Sequence, residues 1–322
     1  MKYKLKTANL NEWDKFVKSV DCRSLFMNST FFSNATPYFW PLLFYKGSNP
    51  RAGLLLVCDE SYTKVFPDGL IIHSGLVFAE NASQKLINAR TERFEITQQA
   101  AEWLEASFDH ACLKFLPEIK DIRPFQWVNY HREASARRYH IRVRYTSEID
   151  ISELMLKKPF EKTKLFDTFD ARKQKDIKDA YADGLRVTRD VTPEEFVMLY
   201  KTHMEERGED VTKQNAQRIR ALCNVLIEEG LGSFFGIRTH NNQLSYVTFF
   251  SCFNNHSYYL YAAGDRYSMG RNYATYCIWE AFQWLSSRGV THVDMEGVNS
   301  PSRGGYKLGF GGQLIAYFEV SV

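Results

Sequence analysis

The chain has 322 residues, of which 44% are hydrophobic and 15% aromatic, and its net charge is +3. This length exceeds one typical core and predicts two domains of about 150 residues each. The composition predicts well-packed globular domains, and the small net charge argues against a surface coated by nucleic acid.

No apolar run reaches the roughly 18 residues that a membrane-spanning helix needs. The N-terminus carries lysines in place of an apolar signal segment, so we expect a cytoplasmic protein. The six cysteines show no Cys-x-x-Cys spacing, which predicts buried thiols. We therefore expect no metal site and no tightly bound cofactor.

The first predicted helix begins near residue 10, with Asn11 as its N-terminal cap. Trp13, Phe16 and Val17 follow at helical spacing, and we expect them to form its buried face.

Four further elements are predicted in the first half of the chain. Apolar runs at 41–45 and 52–58, joined by a turn of glycine, serine, asparagine and proline, predict a β-hairpin. A strand at 70–78, a helix at 97–108 and a strand at 112–116 follow.

The second half repeats this order. Thr192, Pro193 and Glu195 have the spacing of a capping box with proline in the first turn, which predicts a helix start. Apolar runs at 234–238 and 244–250 predict a second hairpin.

The last predicted elements surround the candidate site. A strand at 256–261 precedes a helix at 273–285, which Gly289 should end. A short apolar strand at 290–295 follows. A glycine-rich loop then carries Lys307, and such a loop at the mouth of a sheet is a typical place for a binding site.

The two halves show a similar order of elements, and a Trp-Leu pair falls in corresponding helices at 103–104 and 284–285. This similarity predicts two copies of one α/β unit, over residues 1–150 and 151–322. The charged stretch at 152–171 is predicted to be a connection with a solvated helix.

The most informative motif is Tyr-Lys followed by Leu-Gly-Phe-Gly-Gly at 306–312. Together with the order of elements, it resembles the FemABX family of peptidoglycan peptidyltransferases and the related FemAB-like acyltransferases, which are built from tandem acetyltransferase (GNAT) domains. The resemblance covers nearly the whole chain. Further segments that carry it are 13–17, 123–127, 145–151, 172–180 and 196–208.

The resemblance implies an α/β (α+β) fold of two tandem GNAT-like (acyl-CoA N-acyltransferase-like) domains, with a cleft at or near their interface. It also implies that the C-terminal strand, about 314–320, packs on the first domain. The best-known members of the family transfer aminoacyl groups from charged tRNA to a peptidoglycan precursor, so acyl transfer to an amine is the implied reaction.

The resemblance also implies roles for particular residues. Lys307 matches the family lysine that stabilises the developing oxyanion, and Tyr306 matches its aromatic neighbour. Arg207 lies where the family has an arginine that contacts the acceptor, and Tyr261 lies on the strand that carries an acceptor-contacting tyrosine.

The first half departs from the family pattern. A lysine that the family has near 31–38 is missing, and the Gly-Pro expected at 75–76 lacks its proline. These departures bear on the peptidoglycan precursor as substrate more than on the chemistry.

The residues also indicate this chemistry without the family. An amine that attacks an acyl ester or thioester creates a negative oxygen, which Lys307 could stabilise. Asp294 and Glu296 alternate along the predicted strand and could accept a proton or position the amine. Arg303 and Asn299 are further candidates for substrate binding. Alternatively, Lys307 is a solvated loop residue and the carboxylates pair with Arg303.

The donor is predicted from the loop before the helix at 273–285. In GNAT enzymes that use acetyl-CoA, this loop binds the pyrophosphate through backbone amides at a helix N-terminus. Here Gly270 is retained, but Tyr267 and Asn272 replace expected residues, while Arg271 could still contact a phosphate. The half match favours an aminoacyl or other acyl donor, such as aminoacyl-tRNA, over acetyl-CoA.

We therefore expect an acyltransferase that moves an aminoacyl or other acyl group onto an amine of a cell-envelope, polysaccharide or peptide precursor. An acetyl-CoA-dependent N-acetyltransferase of an amino sugar is one alternative, and a non-catalytic binding protein with the same fold is another.

Overall fold

A computed structural model describes residues 2–20, 22–79, 85–156 and 159–322. The chain divides into two compact units. Unit 1 consists of the described residues up to Arg144 together with Ala316–Val322, and unit 2 is Tyr145–Ile315. Within the described residues, no helix is long and apolar enough to span a membrane.

Unit 1 combines two groups of strands with four helices. Its elements in chain order are β1 (Lys4–Thr7), α1 (Leu10–Ser19), α2 (Ser29–Ala35), β2 (Phe39–Lys46), β3 (Asn49–Val57), β4 (Lys64–Val65), β5 (Gly75–Phe78), α3 (Leu86–Ser107), β6 (His110–Lys114) and α4 (Arg123–Trp127). A single 3-10 turn at Leu25–Met27 is described between α1 and α2.

The first helix has the predicted buried face but a different cap. Trp13, Phe16 and Val17 are buried, as predicted. The cap is Asn9, not Asn11, because Asn9 accepts a hydrogen bond from the Glu12 backbone and the Glu12 side chain accepts one from Asn9. This reciprocal pair fixes the start of α1 at Leu10.

The predicted hairpin is confirmed as the antiparallel pair β2–β3, at the centre of a sheet with the order β1-β2-β3-β5. The predicted strand at 70–78 is reduced to Gly75–Phe78. The helix predicted at 97–108 begins at Leu86, since polar residues at its start obscure the apolar spacing. Strand β6 pairs with β4 and, within unit 1, with the C-terminal strand through Lys114 and Glu319.

Unit 2 contains most of the described helical residues. Its elements in chain order are β7 (His140–Asp150, shared with unit 1), α5 (Lys164–Thr168), α6 (Ala171–Ala182), α7 (Pro193–Glu205), α8 (Lys213–Glu228), β8 (Gly232–Arg238), β9 (Leu244–Phe253), β10 (His256–Gly264), α9 (Tyr273–Ser287), β11 (His292–Asp294), α10 (Pro301–Leu308) and β12 (Gln313–Ser321, shared with unit 1).

The unit 2 sheet has the order β7-β11-β10-β9-β8, and only the β10–β11 pair is parallel. Neighbouring side chains on its strands point to opposite faces. Phe235 and Phe250 pack with α9 on one face. On the other face, Phe234 and Phe249 lie in an aromatic group with Phe196 of α7. Helices therefore cover both faces.

The helix starts and ends predicted in the second half of the chain are largely confirmed. The capping box at Thr192 is present and α7 begins with Pro193. Helix α9 covers the predicted residues, and Gly289 follows it with a φ of 88°. The stretch at 152–171 is less solvated than predicted, because Leu165 and Phe166 of α5 are buried.

The boundary predicted between 150 and 151 lies at the end of β7, whereas the compact units divide at Arg144 and Tyr145. The reason is that β7 continues as one strand from His140 to Asp150. The predicted boundary came from the repeated order of elements, which does not indicate a division within a strand.

Candidate active site

A cavity of about 650 Å³ lies within unit 2, on the side of the sheet where β10, α7 and α10 meet. This volume is typical of pockets that bind small molecules. Five tyrosines, three arginines and one lysine contribute to its wall. The lining residues are Tyr200, His203, Met204, Glu206, Arg207, Tyr246, Tyr259, Leu260, Tyr261, Ala262, Ala263, Gly264, Arg266, Met269, Ala274, Ser302, Arg303, Tyr306 and Lys307.

Strand β10 contributes consecutive residues to this cavity and carries an irregularity in its pairing. The pairing with β9 shifts between Tyr259 and Tyr261, which leaves Leu260 as an extra residue. Such a bulge changes the direction of side chains and is common beside active sites. Tyr259, Leu260 and Tyr261 all line the cavity, and so do the three residues that follow the bulge, Ala262, Ala263 and Gly264.

Lys307 lies on helix α10, so the predicted glycine-rich loop is wrong at this point. Pro301 occupies the first turn of α10, where its missing N–H costs no helical hydrogen bond. Gly304 is required for packing, because a Cβ atom there would overlap the carbonyl oxygen of Val298. The glycines that suggested a loop are therefore partly a consequence of close packing.

The ammonium group of Lys307 is held from two sides. Its Nζ donates a hydrogen bond of 3.5 Å to the carbonyl oxygen of Gly297. It also lies 5.3 Å from the centre of the Tyr259 ring, within the range of a cation–π interaction. Burial lowers the pKa of Lys307, and the negative charges of Glu296 and Asp294 oppose this shift.

The two predicted carboxylates lie close together, but not by strand alternation. Strand β11 ends at Asp294, and Glu296 has a left-handed backbone with a φ of 58°. The Asp294 carboxylate accepts a 2.6 Å hydrogen bond from the backbone N–H of Glu296, and a hydrogen bond from the hydroxyl of Thr146. These bonds stabilise a backbone conformation that is unfavourable for glutamate.

Both carboxyl groups are buried, with exposed fractions of 7%. Burial raises the pKa of Asp294 to about 6, against the hydrogen bonds from Thr146 and Glu296. Burial also raises the pKa of Glu296 well above its ordinary value, and the positive charge of Lys307 opposes this shift. The carboxylates are absent from the cavity lining, while Lys307 belongs to it.

Tyr306 lines the cavity beside Lys307 and is held by aromatic and cationic contacts. The Nζ of Lys173, a buried residue of α6, lies 3.8 Å from the centre of the Tyr306 ring. The ring also meets that of Phe310 edge to face at 5.7 Å. Burial raises the pKa of the Tyr306 hydroxyl well above its ordinary value, so it remains protonated.

Three other predicted residues belong to the same cavity. Arg207 and Tyr261 line it, on the segment after α7 and on β10. Arg303 also lines it, and its guanidinium forms an ion pair with Glu209. The alternative in which Arg303 neutralises Asp294 and Glu296 therefore has less support.

The remaining predicted residues lie outside the cavity lining. Asn299 accepts a 2.8 Å hydrogen bond from the backbone of Tyr145 and donates one of 2.9 Å to its carbonyl oxygen. Arg271 donates a 2.9 Å hydrogen bond to Asp179. Gly270 packs against the ring of Tyr273, where a Cβ atom would overlap.

Sequence reasoning missed several members of the site. Tyr200 follows Phe196 by four residues on α7, a spacing that places both on one face and could have indicated it. Tyr246, Arg266 and Lys173 carry no such local signal, because only the tertiary fold brings them to the cavity or to Tyr306.

No family model matches the chain, and no curated protein matches its sequence. Solved structures share its fold. FemX aligns over 98% of this chain and 96% of its own, with a TM-score of 0.65 and 12% identity. The C-terminal (DUF2156) domain of a candidate lysylphosphatidylglycerol synthetase from Agrobacterium fabrum aligns over 97% and 92%, with a TM-score of 0.58 and 8% identity.

A tandem GNAT protein from the clavulanic acid biosynthesis pathway aligns over 99% of this chain and 98% of its own, with a TM-score of 0.52 and 11% identity. These similarities confirm the predicted fold. The chain has a FemABX-like fold of mixed α/β type, similar to that of tandem GNAT proteins.

Proposed function

We propose that this chain is an acyltransferase that moves an aminoacyl or other acyl group onto an amine of a cell-envelope, polysaccharide or peptide precursor. The observation that carries the proposal is the ammonium group of Lys307 at the wall of an aromatic cavity. The similarity in fold to FemX and to a tandem GNAT protein supports it.

A cation beside the acyl carbonyl oxygen would assist this reaction. When the neutral amine attacks the acyl carbonyl, a carbon–nitrogen bond forms and the carbonyl oxygen becomes negative. The intermediate collapses as the bond to the leaving oxygen or sulfur breaks, and the nitrogen loses a proton, so that an amide and an alcohol or thiol result. A fixed ammonium group stabilises the negative oxygen most strongly where water is excluded.

The remaining wall suits a substrate with both a flat and an anionic part. Tyr259 and Tyr261 offer ring surfaces for an apolar or sugar group. Arg207 and Arg266 are exposed residues at the same cavity, and guanidinium groups bind phosphate or carboxylate well. Such groups occur in precursors of the proposed classes.

We favour aminoacyl-tRNA over acetyl-CoA as the donor, and either would be a substrate and not a resident cofactor. Arg271 would have to leave Asp179 before it could bind a phosphate of CoA. The ring of Tyr273 also packs against Gly270 in the loop where the pyrophosphate would bind.

The test uses the purified chain with radiolabelled aminoacyl-tRNA and, separately, radiolabelled acetyl-CoA, each with a panel of amino sugars and short peptides. We expect label in an amide product with aminoacyl-tRNA. Transfer only from acetyl-CoA would reverse the choice of donor and leave acyl transfer intact. If both donors bind but neither transfers label to any amine, the chain is a binding protein and the proposal fails.

The loop before α9, which contains Gly270 and Arg271, allows a second test of the donor. Calorimetric titration with acetyl-CoA should show no specific heat, and Arg271→Ala should not change this. Micromolar binding of acetyl-CoA that Arg271→Ala abolishes would contradict our preference for tRNA.

A further inference from the structure

His203 lies on α7, in the wall of the same cavity that Lys307 lines from α10. Its side chain is half-buried, and Arg207, one turn later in the chain, reaches the cavity as well. An imidazole has an ordinary pKa close to neutral pH. His203 is therefore well suited to accept and release a proton under physiological conditions.

One nitrogen of the His203 ring is held by the end of β10. Nδ1 lies 3.0 Å from the carbonyl oxygen of Gly264, and the backbone N–H of Gly264 approaches the same nitrogen at 3.5 Å. The contact with the carbonyl oxygen is the shorter of the two, and a carbonyl oxygen can only accept a hydrogen bond. Nδ1 therefore carries a proton and donates a hydrogen bond to this oxygen.

The other ring nitrogen is left as a free acceptor. In a neutral imidazole with a proton on Nδ1, the lone pair is on Nε2. Nε2 forms no hydrogen bond with a described residue, and it is not enclosed by protein atoms. Because the bond to β10 fixes the ring, this lone pair is available to a molecule in the cavity.

The surroundings of the ring favour its neutral form. Burial lowers the pKa of His203, and the hydrogen bond to Gly264 opposes this shift. The positive charges of Arg207 and of Arg303 on α10 lower the pKa further, while the negative charge of Glu206 raises it. The other titratable groups of the cavity wall are five tyrosines, Arg266 and Lys307, so they add no carboxylate that would hold a proton on the imidazole.

We propose that His203 is the general base of the acyl transfer, and that its Nε2 accepts the proton which the attacking amine releases. The inference rests on the proposed function, because the amine loses a proton only if it is acylated. Lys307 and His203 then serve opposite parts of the reaction. The ammonium group stabilises the carbonyl oxygen, and the imidazole removes the proton from the nitrogen.

The proton passes through His203 without net consumption. The neutral amine attacks the carbonyl carbon, a carbon–nitrogen bond forms and the nitrogen becomes positive. Nε2 takes a proton from this nitrogen, so the imidazole becomes an imidazolium. The bond to the leaving oxygen or sulfur breaks with its electron pair, and the imidazolium returns the proton to that atom. An amide and an alcohol or thiol result, and His203 is neutral again.

A purely structural role for His203 would be to connect α7 to β10. His203→Asn separates the two roles, because the asparagine amide nitrogen can replace Nδ1 as the donor to Gly264, while nothing replaces Nε2. We expect kcat to fall by about a hundredfold or more, with little change in melting temperature. His240→Asn, in the exposed turn between β8 and β9, is the matched control and should change neither quantity.

The pH–rate profile distinguishes the loss of a base from a displaced substrate. Acid lowers kcat/KM once as the amine is protonated, and again as His203 is protonated below its ordinary value of about 6.5. Below that pKa, the slope of log kcat/KM against pH should be steeper by about one in the wild type than in His203→Asn. Equal slopes, or wild-type turnover in His203→Asn, would overturn the inference.

A measurement without activity keeps this inference separate from the proposed function. Nitrogen-15 NMR of the wild-type chain labelled at histidine shows which ring nitrogen of His203 carries the proton, even if His203→Asn fails to fold. We expect Nδ1 protonated and Nε2 bare at neutral pH. A proton on Nε2 at neutral pH would overturn the inference in a chain that transfers acyl groups. The expected proton position in a chain that transfers nothing would remove the proposed function, whereas wild-type transfer by His203→Asn would remove only the role of His203.

Discussion

Each unit of this molecule buries a glutamate, but the hydrogen bonding of the two carboxyl groups differs. In unit 1, Arg51 binds both oxygens of Glu92 with hydrogen bonds of 3.1 and 2.7 Å. The hydroxyl of Tyr3 approaches one of them at 3.5 Å. In unit 2, Glu296 leaves Oε1 without a hydrogen-bond partner among the described residues.

This difference in hydrogen bonding indicates a structural role for one glutamate and a role in activity for the other. Removing one partner of a buried ion pair strongly destabilises a fold, because the other charge is left buried and uncompensated. A buried carboxylate with incomplete hydrogen bonding and a strained backbone is retained at a cost to stability, which is typical of functional sites. We therefore expect Glu92 to determine stability and Glu296 to determine activity.

The largest expected effect on stability is that of Glu92→Gln. The substitution keeps the shape but removes the charge that balances Arg51, whose side chain is only 17% exposed. We expect the free energy of unfolding to fall by about 3 kcal/mol, the typical cost of breaking a buried ion pair. Chemical denaturation measures this, and the turnover of the folded variant in the proposed acyl transfer should not change.

Lys2→Met provides the matched control for Glu92→Gln. Lys2 pairs with Glu95, but its side chain is 56% exposed, so the loss should be at most about 1 kcal/mol. Equal losses in the two variants would show that burial does not distinguish these pairs.

A smaller loss of stability is expected from a substitution in α10, the helix that carries Lys307. Gly304→Ala places a Cβ atom against the carbonyl oxygen of Val298, and we expect a loss of about 2 kcal/mol from this overpacking. Gly305→Ala is the matched control, because a Cβ atom there meets nothing within 4 Å. It should stabilise α10 by about 0.5–1 kcal/mol. Thermal unfolding of the two variants measures this difference. Equal shifts in their melting temperatures would contradict the close packing at Gly304.

The smallest stability effect is expected at Glu296 itself. Glu296→Gln keeps the size and shape of a buried side chain whose Oε1 has no described hydrogen-bond partner, so the free energy of unfolding should change by less than about 1 kcal/mol. Denaturation curves of this variant and of Glu92→Gln test the comparison together. A loss in Glu296→Gln as large as that in Glu92→Gln would make both glutamates structural.

Much of the fold could be predicted because its signals are local. The capping box at Thr192, the buried face of α1 and the hairpin turns each depend on residues within a few positions of one another. The similar order of predicted elements in the two halves also predicted the tandem arrangement. Such signals do not depend on which segments meet in space.

The site was predicted less well, because its geometry depends on tertiary contacts. Gly304 and Gly305 obscured helix α10, whose stability comes from packing on Val298 and neighbouring residues. The backbone of Glu296 is held by Asp294, which in turn depends on Thr146 of a distant strand. No spacing in the sequence indicates that contact.

The central claim is that Lys307 stabilises the transition state of acyl transfer. The most direct measurement is the turnover and acceptor affinity of Lys307→Met, with Lys201→Met, an exposed lysine of α7, as the control. We predict that kcat falls by about a hundredfold, or about 3 kcal/mol, for Lys307→Met alone, while its melting temperature and acceptor affinity stay close to those of the wild type. A folded Lys307→Met with wild-type turnover would contradict the account.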